Sequence, residues 1–250
     1  NSLEEVMSTN HITRIIPVIK VNNRNLNQDF YVKTLGMKSL LEEAALLSLG
    51  DQTKTEKLIL EESPSMRSRR VKGPKKLSRL IIKVQEPKEI EALLAQKPEC
   101  LKLYRGKVGY AFEALSPEGD RILLHAETEV SSLKEVAEVP SFKKQEDFIG
   151  LSQFDIESVE LHVSDVEKAE AFYQKIENAC DFLVFKEAFG PDLSVSNEKT
   201  WDLAMLKCKL ATLDTNLLKE VFQNQEIFIP KSDKFLLSQD PNKIELWFEA

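Results

Sequence analysis

Residues 14–37 read RIIPVIKVNNRNLNQDFYVKTLGM, and residues 156–176 read IESVELHVSDVEKAEAFYQKI. Each stretch is an alternating apolar strand, then a polar pair suited to capping a helix, then a helix carrying Phe-Tyr. In the first stretch Leu26, Phe30 and Leu35 are expected on the buried side, and Gly36 ends the helix. Three short strands follow: KSLLEE, ALLSLG and EKLILEE. The pattern restarts at RLIIKV (79–84), with EPKEIEALLAQ as its helix and KLYRGK, GYAFEAL and RILLHAE as its strands. A third copy opens at residue 156 and continues into DFLVFKEA. A fourth runs through MLKCKLATLD, TNLLKEVF, EIFIP, KFLLS and KIELWFE. The chain is therefore read as four βαβββ units.

The expected fold is α+β, with paired βαβββ units forming cupped mixed sheets, one pair regular and one degenerate. The first domain is expected over residues 7–128, from units 14–62 and 77–126. A linker follows over 129–153, where no hydrophobic period is sustained, and then a second domain over 154–250. With 250 residues and 42% hydrophobic composition, two cores fit comfortably.

Composition removes several functions. A formal charge of −7 does not suit a general nucleic-acid binder, which needs clustered excess Lys and Arg. No apolar stretch approaches membrane-spanning length, and the acidic opening NSLEEV does not resemble an export signal, so a cytoplasmic protein is expected. Cys100, Cys180 and Cys208 are widely spaced, without a CxxC pair, and read as reduced structural thiols.

The strand, polar pair, Phe-Tyr helix and a closing strand after SPEGD or DPN resemble the vicinal oxygen chelate fold of glyoxalases, extradiol dioxygenases and bleomycin-resistance proteins. The chain as a whole resembles the streptococcal CppA family, which carries the label of a complement-degrading proteinase. That label implies a protein substrate and surface or extracellular exposure. Metal ligands of the fold, carried over by the resemblance, fall on Ile16, Arg79 and Leu123 in the first pair and on Ser158, Lys207 and Glu245 in the second. Only Glu245 is a ligand type; His162 shares a strand face with Ser158. No metal or other cofactor is expected. The chain has no HExxH and no GxSxG, and no catalytic residue is singled out.

Strand parity suggests where a ligand would lie. Ile15, Pro17, Ile19 and Val21 form a wholly apolar face, and so do Leu80, Ile82 and Val84. The opposite parity carries Arg14, Ile16, Val18 and Lys20, then Arg79, Ile81 and Lys83, then Arg121, Leu123 and His125. The expected ligand site is thus Lys20, Arg79, Lys83, Arg121 and His125 over an apolar floor of Ile16 and Leu123, taking a small or extended anion. The alternative is that these heads reach water or pair with Glu61 or Glu113. A second basic run, MRSRRVKGPKKLSR (66–79), reads as a solvated crossover loop, or as one that closes over an anion or docks an acidic partner. Three functions remain open: a metal-independent binding protein, a proteinase, and a homodimeric assembly module.

Overall fold

The structure, a computed structural model, describes residues 10–250; the expected domain start at residue 7 lies outside them. The fold is α+β, as expected, but its contacts do not follow the two halves of the sequence. They divide the chain into a first unit, holding residues up to Lys20, Ser63–Ser78 and Val159–Ala250, and a second, holding Val21–Glu62 and Arg79–Ser158.

Strand pairing explains the division. In the first unit, β1 (Ile12–Val21) runs antiparallel to β12 (Leu203–Leu210), with Ile16 opposite Lys207. β12 pairs in parallel with β14 (Glu245–Glu249), and β14 pairs antiparallel with β13 (Phe235–Gln239). The opening strand of the first βαβββ copy therefore lies beside the opening strand of the fourth, not in a pair formed with the second copy alone. β10 (Phe154–Val163) pairs in parallel with β11 (Leu183–Glu187).

In the second unit, β2 (Lys38–Glu43), β3 (Leu46–Gly50) and β4 (Glu56–Glu62) form an antiparallel meander. β5 (Leu77–Val84) pairs in parallel with β8 (Arg121–His125). The ladder continues antiparallel through β7 (Tyr110–Leu115), β6 (Lys102–Arg105) and the two-residue β9 (Lys134–Glu135). The strand expected over EIFIP is reduced to one bridge, between Phe228 and Leu237.

Among the described residues, three of the four α-helices begin where the polar pairs predict. Asn23 accepts from Leu26 N–H at the start of α1 (Arg24–Asp29), and Asp165 accepts from Lys168 N–H at the start of α3 (Val166–Tyr173). Asp214 does the same for α4 (Thr215–Val221), while α2 (Pro87–Ala95) opens on Pro87. α1 runs on into a π turn over Phe30–Thr34. Gly36 ends it at φ +73°, where a Cβ would meet Leu93 and Leu151 side-chain atoms at 3.1 Å. The buried stripe of this helix is Asn27, Tyr31 and Leu35, and Leu26 is 56% exposed. The expectation for Leu26 is thereby corrected. The helix turns a polar residue inward because Asn27 has a hydrogen-bonding partner there, described below.

The Phe-Tyr repeat has a structural cause. Tyr173 is buried, and its hydroxyl donates to Asp240 Oδ2 at 2.6 Å. Asp240 opens a turn in which its Oδ1 accepts from Asn242 and Ile244 N–H, with Lys243 at φ 65°. Tyr31 takes the same place beside Ser116, Glu118 and Asp120 in the second unit. There Ser116 Oγ accepts from Glu118 and Asp120 N–H, and Gly119 has φ +82°. Tyr173 is thus pinned by a hydrogen bond to the turn before its closing strand, while Tyr31 is buried beside the matching turn and its hydroxyl makes no hydrogen bond among the described residues.

Since β1 reaches its partner strand near the far end of the chain, residues 14–136 and 151–248 expressed separately should each lack a cooperative melt. Mixing the two is expected to restore one, followed by circular dichroism; a sharp independent melt of either piece would contradict this dependence.

Candidate functional site

The second unit gathers most of the expected ligand residues, and fills their surroundings from its own chain. Arg79 on β5 and Arg121 on β8 converge on Glu113 of β7. Arg79 Nη1 lies 3.3 Å from Glu113 Oε1, and Arg121 Nη2 lies 3.1 Å from the same oxygen. Glu113 is 1% exposed, and a buried carboxylate stripped of its partners would cost about 3–5 kcal/mol, so both guanidinium groups are engaged in holding it. Leu123 is buried in a cluster with Ile81 and Ala111, over which Tyr104, Val130 and Leu133 pack. The expected apolar floor is therefore covered, partly by residues assigned to the linker.

The covering segment is tied at both ends. The Glu127 carboxylate accepts from Val108 and Gly109 N–H and from Ser132 Oγ. Burial works to raise this carboxyl, but the donors outweigh it and hold it below the ordinary range. β9 then pairs with β6. His125, expected at the edge of a cup, is fully buried: Nδ1 accepts from Glu127 N–H at 3.0 Å, and Nε2 lies 2.9 Å from Glu157 Oε1. Lys83 stands opposite His125 in the β5–β8 register and is half-buried. Lys20 and Ile16 belong to the first unit, where Ile16 is buried and Lys20 half-buried.

Up to Ser78 the basic run lies in the first unit, where it meets acids of a later stretch of the chain. Arg69 makes a bidentate contact to Asp192, at 2.7 and 2.8 Å, and Lys72 N–H donates to the same carboxylate. The Arg69 hydrogen bonds, with help from Lys72, overcome the opposing effect of burial and take the Asp192 carboxyl down to about 2. Lys76, 1% exposed, donates from Nζ to Val195 O, and its N–H donates to Asp202. Burial draws the Lys76 ammonium below its ordinary value. Sequence showed the cations of this run, but not the acids about 120 residues away that receive them.

The sheet face of the first unit is different in kind. Cross-strand registers place Ile16, Lys207, Trp247 and Leu237 in one row, and Arg14, Lys209, Glu249 and Phe235 in the next. Phe235 stacks on Trp247 with centroids 3.9 Å apart and planes 12° from parallel. Lys207 Nζ lies 5.8 Å from the Trp247 ring centroid. Lys207 and Lys209 both approach Glu249, at 3.5 and 3.2 Å. Burial pushes the Glu249 carboxyl up, but the two lysines hold it below its ordinary value. Lys207, Lys209, Glu249, Trp247, Phe235 and Leu237 are all half-buried.

The positions carried over as metal ligands regroup under the observed pairing. Ile16, Lys207 and Glu245 fall in the first unit; Arg79, Leu123 and Ser158 fall in the second. Each set holds a cation, and neither fits a divalent metal. Among the described residues no three His, Cys, Asp or Glu side chains form a metal-holding group. His162 Nδ1 lies 2.7 Å from Lys75 O, and His11 lies beside Glu177 and Asn178. None of these histidine contacts is with a Ser, Thr or Cys side chain. Among the described residues no helix is long and apolar enough to cross a membrane.

Family models described as CppA N-terminal and CppA C-terminal match residues 14–136 and 151–248. The crystal structure of the cppA protein from Streptococcus pneumoniae TIGR4 is 53% identical, with 96% of this chain and 98% of that chain covered and a TM-score of 0.89. A putative dioxygenase from Bacillus subtilis superposes at 12% identity, with 97% and 85% of the chains covered and a TM-score of 0.58. A glyoxalase I mutant from Zea mays does so at 13% identity, with 100% and 96% covered and a TM-score of 0.59. These last two likenesses show the vicinal oxygen chelate fold. No curated protein matches the chain significantly.

The Arg69–Asp192 pair yields a pH-dependent expectation. Because the folded Asp192 carboxyl sits at about 2 against an ordinary 3.8, its stabilising effect is complete above about pH 4 and is lost as pH falls toward 2. Asp192→Asn should lower Tm by a few degrees at pH 7. The gap to the wild type should close between about pH 4 and 2, measured by thermal melts across that range.

Proposed function

Because the chain belongs to the CppA family and has the vicinal oxygen chelate fold, we propose that it is a metal-independent binding protein taking a small organic anion on the sheet face of its first unit. The observation that carries this reading is the half-buried stack of Phe235 on Trp247 with Lys207 beside it. An aromatic pair that keeps a partly open face offers a flat apolar floor, and an ammonium at its rim orients a carboxylate. In the next row of the same face, Arg14 and Lys209 stand in register with Glu249. The face expected from sequence, around Arg79 and Arg121, supports ligand binding less well. Its cations hold Glu113, and its floor carries Tyr104, Val130 and Leu133.

Benzoate, titrated against tryptophan fluorescence, should give a saturable signal that benzyl alcohol does not reproduce. Lys207→Ala should weaken benzoate about tenfold, the size of one charge-assisted contact, and Arg79→Ala should leave it unchanged. Equal binding of the acid and the alcohol would refute the anionic site. The purified protein is also expected to hold no stoichiometric Zn, Fe, Mn or Ni and to leave casein intact with or without chelator. Elemental analysis near one equivalent, or chelator-sensitive cleavage, would overturn metal independence.

A further inference from the structure

The two units carry the same joint between helix and turn, filled in one and open in the other. In the second unit the Glu118 side chain, from the turn after Ser116, reaches back to the start of α1. Its Oε1 accepts from Asn22 N–H at 2.8 Å and from Asn27 Nδ2 at 3.1 Å. Asn27 is the buried polar residue of that helix, and Glu118 is what it meets.

The first unit repeats the joint position by position. Val163-Ser164-Asp165 corresponds to Val21-Asn22-Asn23, with Asp165 and Asn23 both acting as N-caps. Ala169 corresponds to Asn27, Tyr173 to Tyr31, and Asp240-Pro241-Asn242 to Ser116-Pro117-Glu118. The hydrogen-bond patterns of the two turns support this register, since the opening side chain accepts from the second and fourth following N–H in both. Asn242 is one methylene shorter than the glutamate it replaces, and its Oδ1 accepts from Ser194 Oγ. The Asn27 amide has become the methyl of Ala169. A cavity of about 270 Å³ lies here, lined among others by Ser164, Lys168, Ala169, Tyr173, Asp240 and Asn242. Ser164, whose N–H is the counterpart of a Glu118 ligand, is exposed at this lining.

We infer that this cavity is a binding site for a small free carboxylate, which takes the place the Glu118 carboxylate holds in the other unit. The space exceeds the roughly 30 Å³ share of a water several times over and is ample for a two- or three-carbon acid. The acids at its edge do not forbid an anion, because their oxygens are engaged by donors. Asp165 Oδ1 accepts from Lys168 N–H. Asp240 accepts from the Tyr173 hydroxyl and two backbone N–H groups. The Lys168 ammonium supplies a compensating charge at the lining, and in the filled joint Glu118 itself lies near Asp120 beside Tyr31. This site is separate from the Trp247 face and stands or falls without it.

Acetate, titrated at pH 7 and constant ionic strength, is the probe, with acetamide as the neutral control. Acetate should raise Tm saturably, by about 3–6 °C at ten times its half-saturating concentration, while acetamide gives no saturable rise. Asn242→Glu, which supplies the missing carboxylate within the chain, should abolish the saturable response. Lys168→Ala, at an exposed helix position, should weaken it several-fold and keeps the test decisive if Asn242→Glu does not fold. Absence of saturation in the wild type, or an unchanged half-saturation in Asn242→Glu or Lys168→Ala, would overturn the assignment.

Discussion

The hydrogen bond between the buried Tyr173 and Asp240, the first residue of a five-residue turn, is the constraint on which the first unit depends. A Tyr hydroxyl taken from water needs a partner, and Tyr173 finds it in Asp240, itself buried and held by two backbone N–H groups. Burial raises both groups above their ordinary values, so each has reason to keep the other. The pairing sets the depth of the helix against the turn. The turn in turn sets where the closing strand begins, and that strand carries Trp247 and Glu249 onto the sheet face.

Alternation and capping made the elements legible. Nearly every strand after a polar break, and each N-cap at Asn23, Asp165 and Asp214, lies where the pattern places it. Which strand pairs with which was not legible, because a period of two identifies the face of a strand and says nothing of its neighbour. The same limit explains the ligand site. Parity correctly set Arg79 and Arg121 on one face, but the Glu113 that receives them comes from another strand, and only the register puts it between them. Leu26 misled for a related reason, since Asn27 is buried to meet a glutamate far along the chain.

Segments without a period can still contribute to a core. Val130 and Leu133, three residues apart after Glu127, are too few to register as a helix or strand, yet they close the face formed by Ile81, Ala111 and Leu123. Of the two sheet faces with basic residues, one has thus been sealed by its own chain, while the other keeps half-buried aromatic surface. The fold itself, common to glyoxalase and dioxygenase structures, decides neither outcome.

The pairing of β1 with β12 also orders events during synthesis. Ile16 lies beside Lys207, roughly 190 residues further along, so β1 leaves the ribosome well before this partner strand. During that interval Ile12, Ile15 and Ile19, all buried in the finished protein, have no β12 to cover them. A strand rich in isoleucine with one edge left open in this way is a template for pairing with another nascent chain. Arg14 and Lys20, set within that run, place charges that discourage such pairing while the downstream sequence is still being made.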